Sequence, residues 1–195
     1  MSTTFSTQIS TQVSTQISTQ VGTQVSTPLS DPMITQPQTQ TQTQTQPQTL
    51  DRDGIAARIP HSGSMCLLDG LLSWTADEAR CQASSHHDAS HPLRSPGGLL
   101  APVAIEYAGQ AMALHGSLTA LPGASPSAGF LAAARSVNLH VARLDDVPGR
   151  LMVTVTRLAG AQTQALYRFE LHDDTGRLLV DGRATVLLNT PLPTP

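Results

Sequence analysis

The stretch GGLLAPVAIEYAGQAMALHG, residues 97–116, decides how the rest of this chain is read. It opens on Gly97-Gly98, has Pro102 near its first turn and reaches Gly116 near its end, which predicts a helix of about four to five turns. On a helical wheel Val103, Tyr107 and Leu114 cover one side, Ala104, Ala108 and Ala111 another, and Ile105 and Met112 a third. A helix that is apolar on every side is expected inside a core. Glu106 and Gln110, one turn apart, interrupt it, with Gly109 and Ala113 beside them. A carboxylate in such a helix loses hydration, a heavy cost unless it is paired, protonated or used in chemistry. An ion pair with Arg94 or Arg135 is one explanation of Glu106; catalysis is the other.

Composition divides the chain. Residues 1–50 are mostly Ser, Thr, Gln and Pro, with a repeating STQI/STQV unit that gives way to alternating TQ and PQ. Such a segment cannot bury enough apolar surface to order itself, so it is expected to be a disordered tail, and no function is assigned to it. Residues 51–190 are then one domain with a core, and 191–195 a C-terminal tail. The formal net charge is −3, and all 11 basic residues are arginine, without a basic cluster. Nucleic acid and an anionic membrane surface are therefore not expected as partners. Cys66 and Cys81 lack metal-ligand spacing and fit reduced thiols in a cytoplasmic protein. No secretory signal is expected, because no basic segment is followed by an apolar one at the N-terminus. Glu106, Gln110 and His115 break the long apolar stretch too often for a membrane span.

Along the domain, residues 51–59 predict a short helix stopping before Pro60. Residues 71–74 and 79–85 predict two strands joined by a turn, and 86–98 a long polar loop leading into the helix. After the helix the period becomes two. A long strand is expected over 130–144, with a break at 132–134. Leu151, Val153 and Val155 then alternate with Met152, Thr154 and Thr156, and Tyr167, Phe169 and Leu171 with Arg168 and Glu170. Asp173-Asp174-Thr175-Gly176 marks a hairpin before a last strand over 178–188. Two strands, one long helix and four strands with short connections describe an α+β domain, an antiparallel sheet of five to six strands curled around a central helix.

That order matches the hot-dog fold, and the residues resemble its β-hydroxyacyl-acyl-carrier-protein dehydratases. Arg58-Ile59-Pro60-His61, followed by Met65 and Leu67-Leu68-Asp69, is similar to their opening. His91-Pro92-Leu93, followed by Ile105-Glu106-Tyr107-Ala108-Gly109-Gln110-Ala111, resembles their histidine loop and carboxylate helix. Pro148-Gly149-Arg150-Leu151 resembles the turn after their long strand. The likeness spans about residues 55–188, and its wording is most similar to the small dehydratase-like proteins of aryl-polyene-type gene clusters. Leu93-Arg94 stands where the family has Pro-Gly after its histidine.

The resemblance implies dehydration of 3-hydroxyacyl thioesters on acyl carrier protein, with coenzyme A as the alternative carrier and no cofactor. It makes His91 the base, since an imidazole titrates near working pH, and Glu106 the group acting on the leaving hydroxyl. Gln110 would hold the Glu106 carboxyl. Backbone N–H groups near Gly98 and Leu99, at the helix start, would receive the thioester oxygen. The family's histidine and carboxylate come from different subunits, which implies a homodimer or a heterodimer with another hot-dog chain. Two alternatives stand beside it: a hot-dog thioesterase, in which Glu106 activates water, and a non-catalytic acyl-binding partner of a paralogous chain. His86, His87, Asp88 and His91 fall within six residues, but no second cluster supplies ligands, and no metal is expected. His61 is read as capping or orienting the first turn, and His115 as a satisfied buried histidine.

Overall fold

The computed structural model describes residues 49–120, 129–161 and 163–188, all within the compact unit Gln44–Pro195. The reading of 1–48 and of 191–195 as tails lies outside the described residues. Leu50, which composition places in the tail, belongs to the sheet: strand β1 (Leu50–Asp51) pairs with β2 (Gly70–Trp74) through Leu50 and Leu71. Between them lies helix α1 (Arg52–Ala56), capped by the Asp51 carboxylate, which accepts from the Gly54 N–H at 2.9 Å.

β3 (Glu78–Ala83) follows, then the long helix α2 (Ala104–Thr119), and finally β4 (Gly129–Leu139), β5 (Leu151–Gly160), β6 (Gln164–His172) and β7 (Leu178–Leu188). They form one antiparallel sheet in the order β1-β2-β3-β5-β6-β7-β4. The seventh strand, beyond the five to six expected, is the two-residue β1, too short to show a period. In β5 and β6 the alternation reads as expected: Leu151, Val153, Val155, Tyr167, Phe169 and Leu171 all point into the core. α2 packs across β3, β5 and β6.

Three details differ from the sequence reading. The helix starts later than Gly97-Gly98: a 3₁₀ turn at Ala101–Val103, with Pro102 in it, leads into α2 at Ala104, and α2 runs three residues past Gly116. β4 stops at Leu139 because the chain turns aside to pair with the loop ahead of the helix, where Ala101 N–H donates to Ala142 O and Leu144 N–H to Leu99 O. The expected irregularity in β4 is there, as register shifts between Leu131 and Ala133 and again between Arg135 and Asn138, where Ser136 has φ +50°. Finally, α2 is not covered all round. Tyr107, Ala108, Ala111 and Leu114 are fully buried, whereas Val103, Ile105, Glu106, Gly109 and Ala113 are half-exposed. No described helix is long and apolar enough to cross a membrane.

Candidate active site

Glu106 lies on the uncovered side of α2, and its carboxylate is held through one oxygen. Oε1 accepts from Gln110 Nε2 at 3.0 Å, the one-turn pair expected from the sequence, and lies 3.2 Å from His61 Nε2. Neither arginine weighed for it is its partner: Arg94 goes to Asp145, and Arg135 sits exposed on β4. Gln110 is fully buried and uses its whole amide. Its Nε2 also donates to Met65 O at 2.7 Å, and its Oε1 accepts from Leu67 N–H at 2.8 Å. The segment that carries His61, turned by a 3₁₀ turn at Gly63–Met65, is thereby stitched along the helix. His61 therefore faces Glu106 instead of serving the first turn.

His91 belongs to a second group. It is only 4% exposed, and its Nδ1 accepts from Leu93 N–H at 3.1 Å. Its Nε2 lies 3.2 Å from Tyr107 Oη; Tyr107 Oη lies 2.8 Å from Ser85 Oγ, which donates to Leu67 O at 2.8 Å. The direction of this chain follows from its two ends. Ser85 spends its hydrogen on Leu67 O, so the Tyr107 hydroxyl donates to Ser85 and the His91 Nε2–H donates to Tyr107. Both His91 nitrogens are occupied, and no hydrogen bond joins His91 to Glu106 among the described residues. Beyond the helix they share, the two groups are joined by hydrogen bonds at Leu67, whose N–H serves Gln110 and whose carbonyl serves Ser85. Burial pushes the Tyr107 hydroxyl up to about 12 and pulls His91 below its ordinary value, which favours a neutral ring.

The amides of Gly98 and Leu99, expected to receive a thioester oxygen, have partners within the chain. Gly98 N–H donates to Ser95 O at 2.9 Å and Leu99 N–H to Asp145 Oδ1 at 3.1 Å, so neither is free for a thioester oxygen. Both lie ahead of the helix, where the chain needs internal partners. Gly98 has a different task. Its φ is +96°, and a Cβ there would run into the Arg143 guanidinium. Asp145, with its side chain 3% exposed, accepts from Arg143 Nη2 at 2.6 Å, Arg94 Nη2 at 2.7 Å and the Leu99 amide. The hydrogen bond from Arg143, helped by Leu99, holds its carboxyl at about 2. Asp145 thus anchors the loop carrying His91, a role nothing in its local sequence signals.

Three further histidines make structural contacts. His86 Nε2 lies 3.2 Å from Val147 O, and His87 Nε2 lies 2.9 Å from Gly149 O. His115 is satisfied in the core, as expected, between Tyr167 Oη at 2.9 Å and Thr75 O at 3.1 Å. Both cysteines are buried and free, and burial pushes Cys81 up to about 12. Burial, with His87 beside it, brings His86 down to about 4, and burial also lowers His115. A base with a depressed folded-state value stabilises the fold fully above the unfolded value near 6.5, and that contribution is lost as pH falls toward 4. His86 alone accounts for on the order of 3 kcal/mol over this window. Urea midpoints are accordingly expected to fall between pH 7.5 and 4.5; equal midpoints would mean that these rings are charged in the fold.

A single long helix laid on an antiparallel sheet defines a hot-dog domain. The chain belongs to the ApeP-like dehydratase family, whose pattern (ApeP dehydratase) it matches over residues 54–192. Among solved structures it is similar in fold to the dehydratase heterocomplex ApeI:P from Xenorhabdus doucetiae, at 23% identity and TM-score 0.62, over 72% of this chain and 92% of that one. It is also similar to a thioesterase from Haemophilus influenzae, at 16% identity and TM-score 0.54, over 75% and 95% of the two chains. No curated protein matches the sequence.

Proposed function

We propose that this chain serves the dehydration of 3-hydroxyacyl thioesters on acyl carrier protein to trans-2-enoyl thioesters, in fatty acid, aryl polyene or polyketide-type synthesis. Membership of the ApeP-like dehydratase family supports the reaction class. The observation that carries the reading to residues is the Glu106 carboxyl: Oε1 is held by two partners, and Oε2 has none among the described residues. A free carboxyl oxygen on a half-exposed helix side suits delivery of a proton to a leaving hydroxyl. In this reaction the Cα proton passes to His91, the Cα–Cβ double bond forms, the Cβ–O bond breaks, and the Glu106 proton leaves with the hydroxyl as water. His91 must first release the Leu93 N–H from Nδ1, the nitrogen that carries its lone pair.

The active unit is proposed to be a dimer, with a second copy or with another hot-dog chain. β4 supports this. It is an edge strand of 11 residues, exposed along most of both faces, with Leu131 44% and Leu139 48% exposed. Such an edge is a template for another strand, and the uncovered side of α2 needs apolar cover. One observation favours a second reading, a non-catalytic subunit beside an active paralogue: both His91 nitrogens are engaged inside the chain. The likeness to a chain of the ApeI:P dehydratase heterocomplex supports pairing with a second hot-dog chain.

The test is a spectrophotometric assay of the purified protein on short 3-hydroxyacyl and trans-2-enoyl thioesters of both carriers, with His91→Ala beside it. Turnover that vanishes in His91→Ala supports the base. Turnover that survives it assigns His91 to packing. A protein silent alone but active once mixed with a second hot-dog chain is the partner subunit, and release of free thiol would mark a thioesterase instead.

A further inference from the structure

We infer that His61 is a positioning residue for Glu106, packing against one carboxyl oxygen so that the group is restrained with its other oxygen open to substrate. This rests on the dehydratase reading for its consequence in turnover, though not for the pair itself. Among the described residues Glu106 is the only polar partner of the His61 ring. The loop and core histidines of this domain differ: His86, His87 and His115 bind backbone carbonyls, and His91 binds a backbone amide and a hydroxyl. His140 does pair with a carboxylate, Asp181 at 2.7 Å, but that contact merely ties neighbouring strands β4 and β7 on the sheet surface.

The setting of His61 is rigid on both sides. Ile59, two residues before it, is 7% exposed in the core, and Met65, four residues after it, is bound through its carbonyl to the buried Gln110 amide. A ring held at both flanks loses little freedom on meeting a carboxylate, so the contact restrains Glu106 effectively. His61 Nδ1 is buried with no hydrogen-bond partner, so nothing else recruits the ring. Gln110 donates to Oε1 from α2 itself, and His61 Nε2 lies 3.2 Å from the same oxygen on the segment laid along the helix. Tilting the carboxyl plane away from this position would lose the Gln110 hydrogen bond and the His61 contact together. A carboxyl acid that must meet a hydroxyl at hydrogen-bond distance depends on such restraint, since a misplacement of about 1 Å lowers turnover roughly hundredfold.

The test uses the full chain with His61→Ala, His61→Gln and Glu106→Ala. In an active protein, His61→Ala is expected to lower kcat roughly hundredfold with KM and the unfolding midpoint nearly unchanged. His61→Gln, which keeps a donor near the Nε2 position, is expected to recover most of that loss. Unchanged kcat in His61→Ala, or no recovery in His61→Gln, would overturn the inference. Histidine-side-chain ¹⁵N NMR reads the pair without turnover. Glu106→Ala is expected to shift the Nε2 signal of the His61 ring, which lies 3.2 Å from the carboxyl in the wild type. Identical His61 signals in the two proteins would overturn the pair. If wild-type protein shows no dehydration in any assembly, the functional reading falls by itself and the NMR result alone decides His61.

Discussion

Glu106→Gln is expected to remove dehydration almost entirely, by a factor of about 10² to 10⁴, while leaving the fold in place. Glutamine has the volume of glutamate, and its amide oxygen can still accept from Gln110 beside His61. What it lacks is a proton to give. The substitution therefore separates proton delivery from positioning more cleanly than truncation would. The half-exposed setting of Glu106 also means that no buried charge is orphaned by the change. The measurement is kcat/KM on a 3-hydroxyacyl thioester alongside the thermal midpoint. Activity above about a tenth of wild type would remove Glu106 from the chemistry.

Gln110→Leu is expected to be the most destabilising of the changes considered, by about 4 kcal/mol. The side chain is fully buried and of leucine's approximate size, so the loss comes from polar groups left behind, not from a cavity. Leu67 N–H loses its acceptor and Met65 O its donor, each buried or nearly so. A buried backbone group without a partner costs about 1–3 kcal/mol, and the Glu106 contact disappears as well. Because Leu67 also carries Ser85, Tyr107 and His91 through its carbonyl, loosening it reaches the second group of residues. Urea unfolding read as a midpoint and slope checks this; a loss below about 1 kcal/mol would mean that Met65 and Leu67 find other partners.

Much of this architecture is legible along the chain because its physical causes are local. An inward face every second residue shows in Leu151, Val153 and Val155, and a turn signal shows in 173–176. Glu106 and Gln110 meet because four residues are about one turn of a helix, so their contact follows from the sequence once the helix is granted. The same locality explains the failures. β1 has two residues and no period. The 3₁₀ turn before α2 is set by pairing with 142–144, residues far along the chain.

The sequence by itself determined the order of elements, the apolar helix at their centre and the carboxylate that interrupts it, for these follow from side-chain periodicity and from what a carboxylate costs in a core. Tertiary structure alone decided which groups touch that carboxylate and that histidine. His61 reaches Glu106 across 45 residues, Asp145 claims the Leu99 amide and two arginines, and Leu67 links the two groups through its backbone. Hydrogen bonds between loops depend on where separate segments are brought together by packing. A backbone N–H or carbonyl carries no mark in the sequence of the partner it will find.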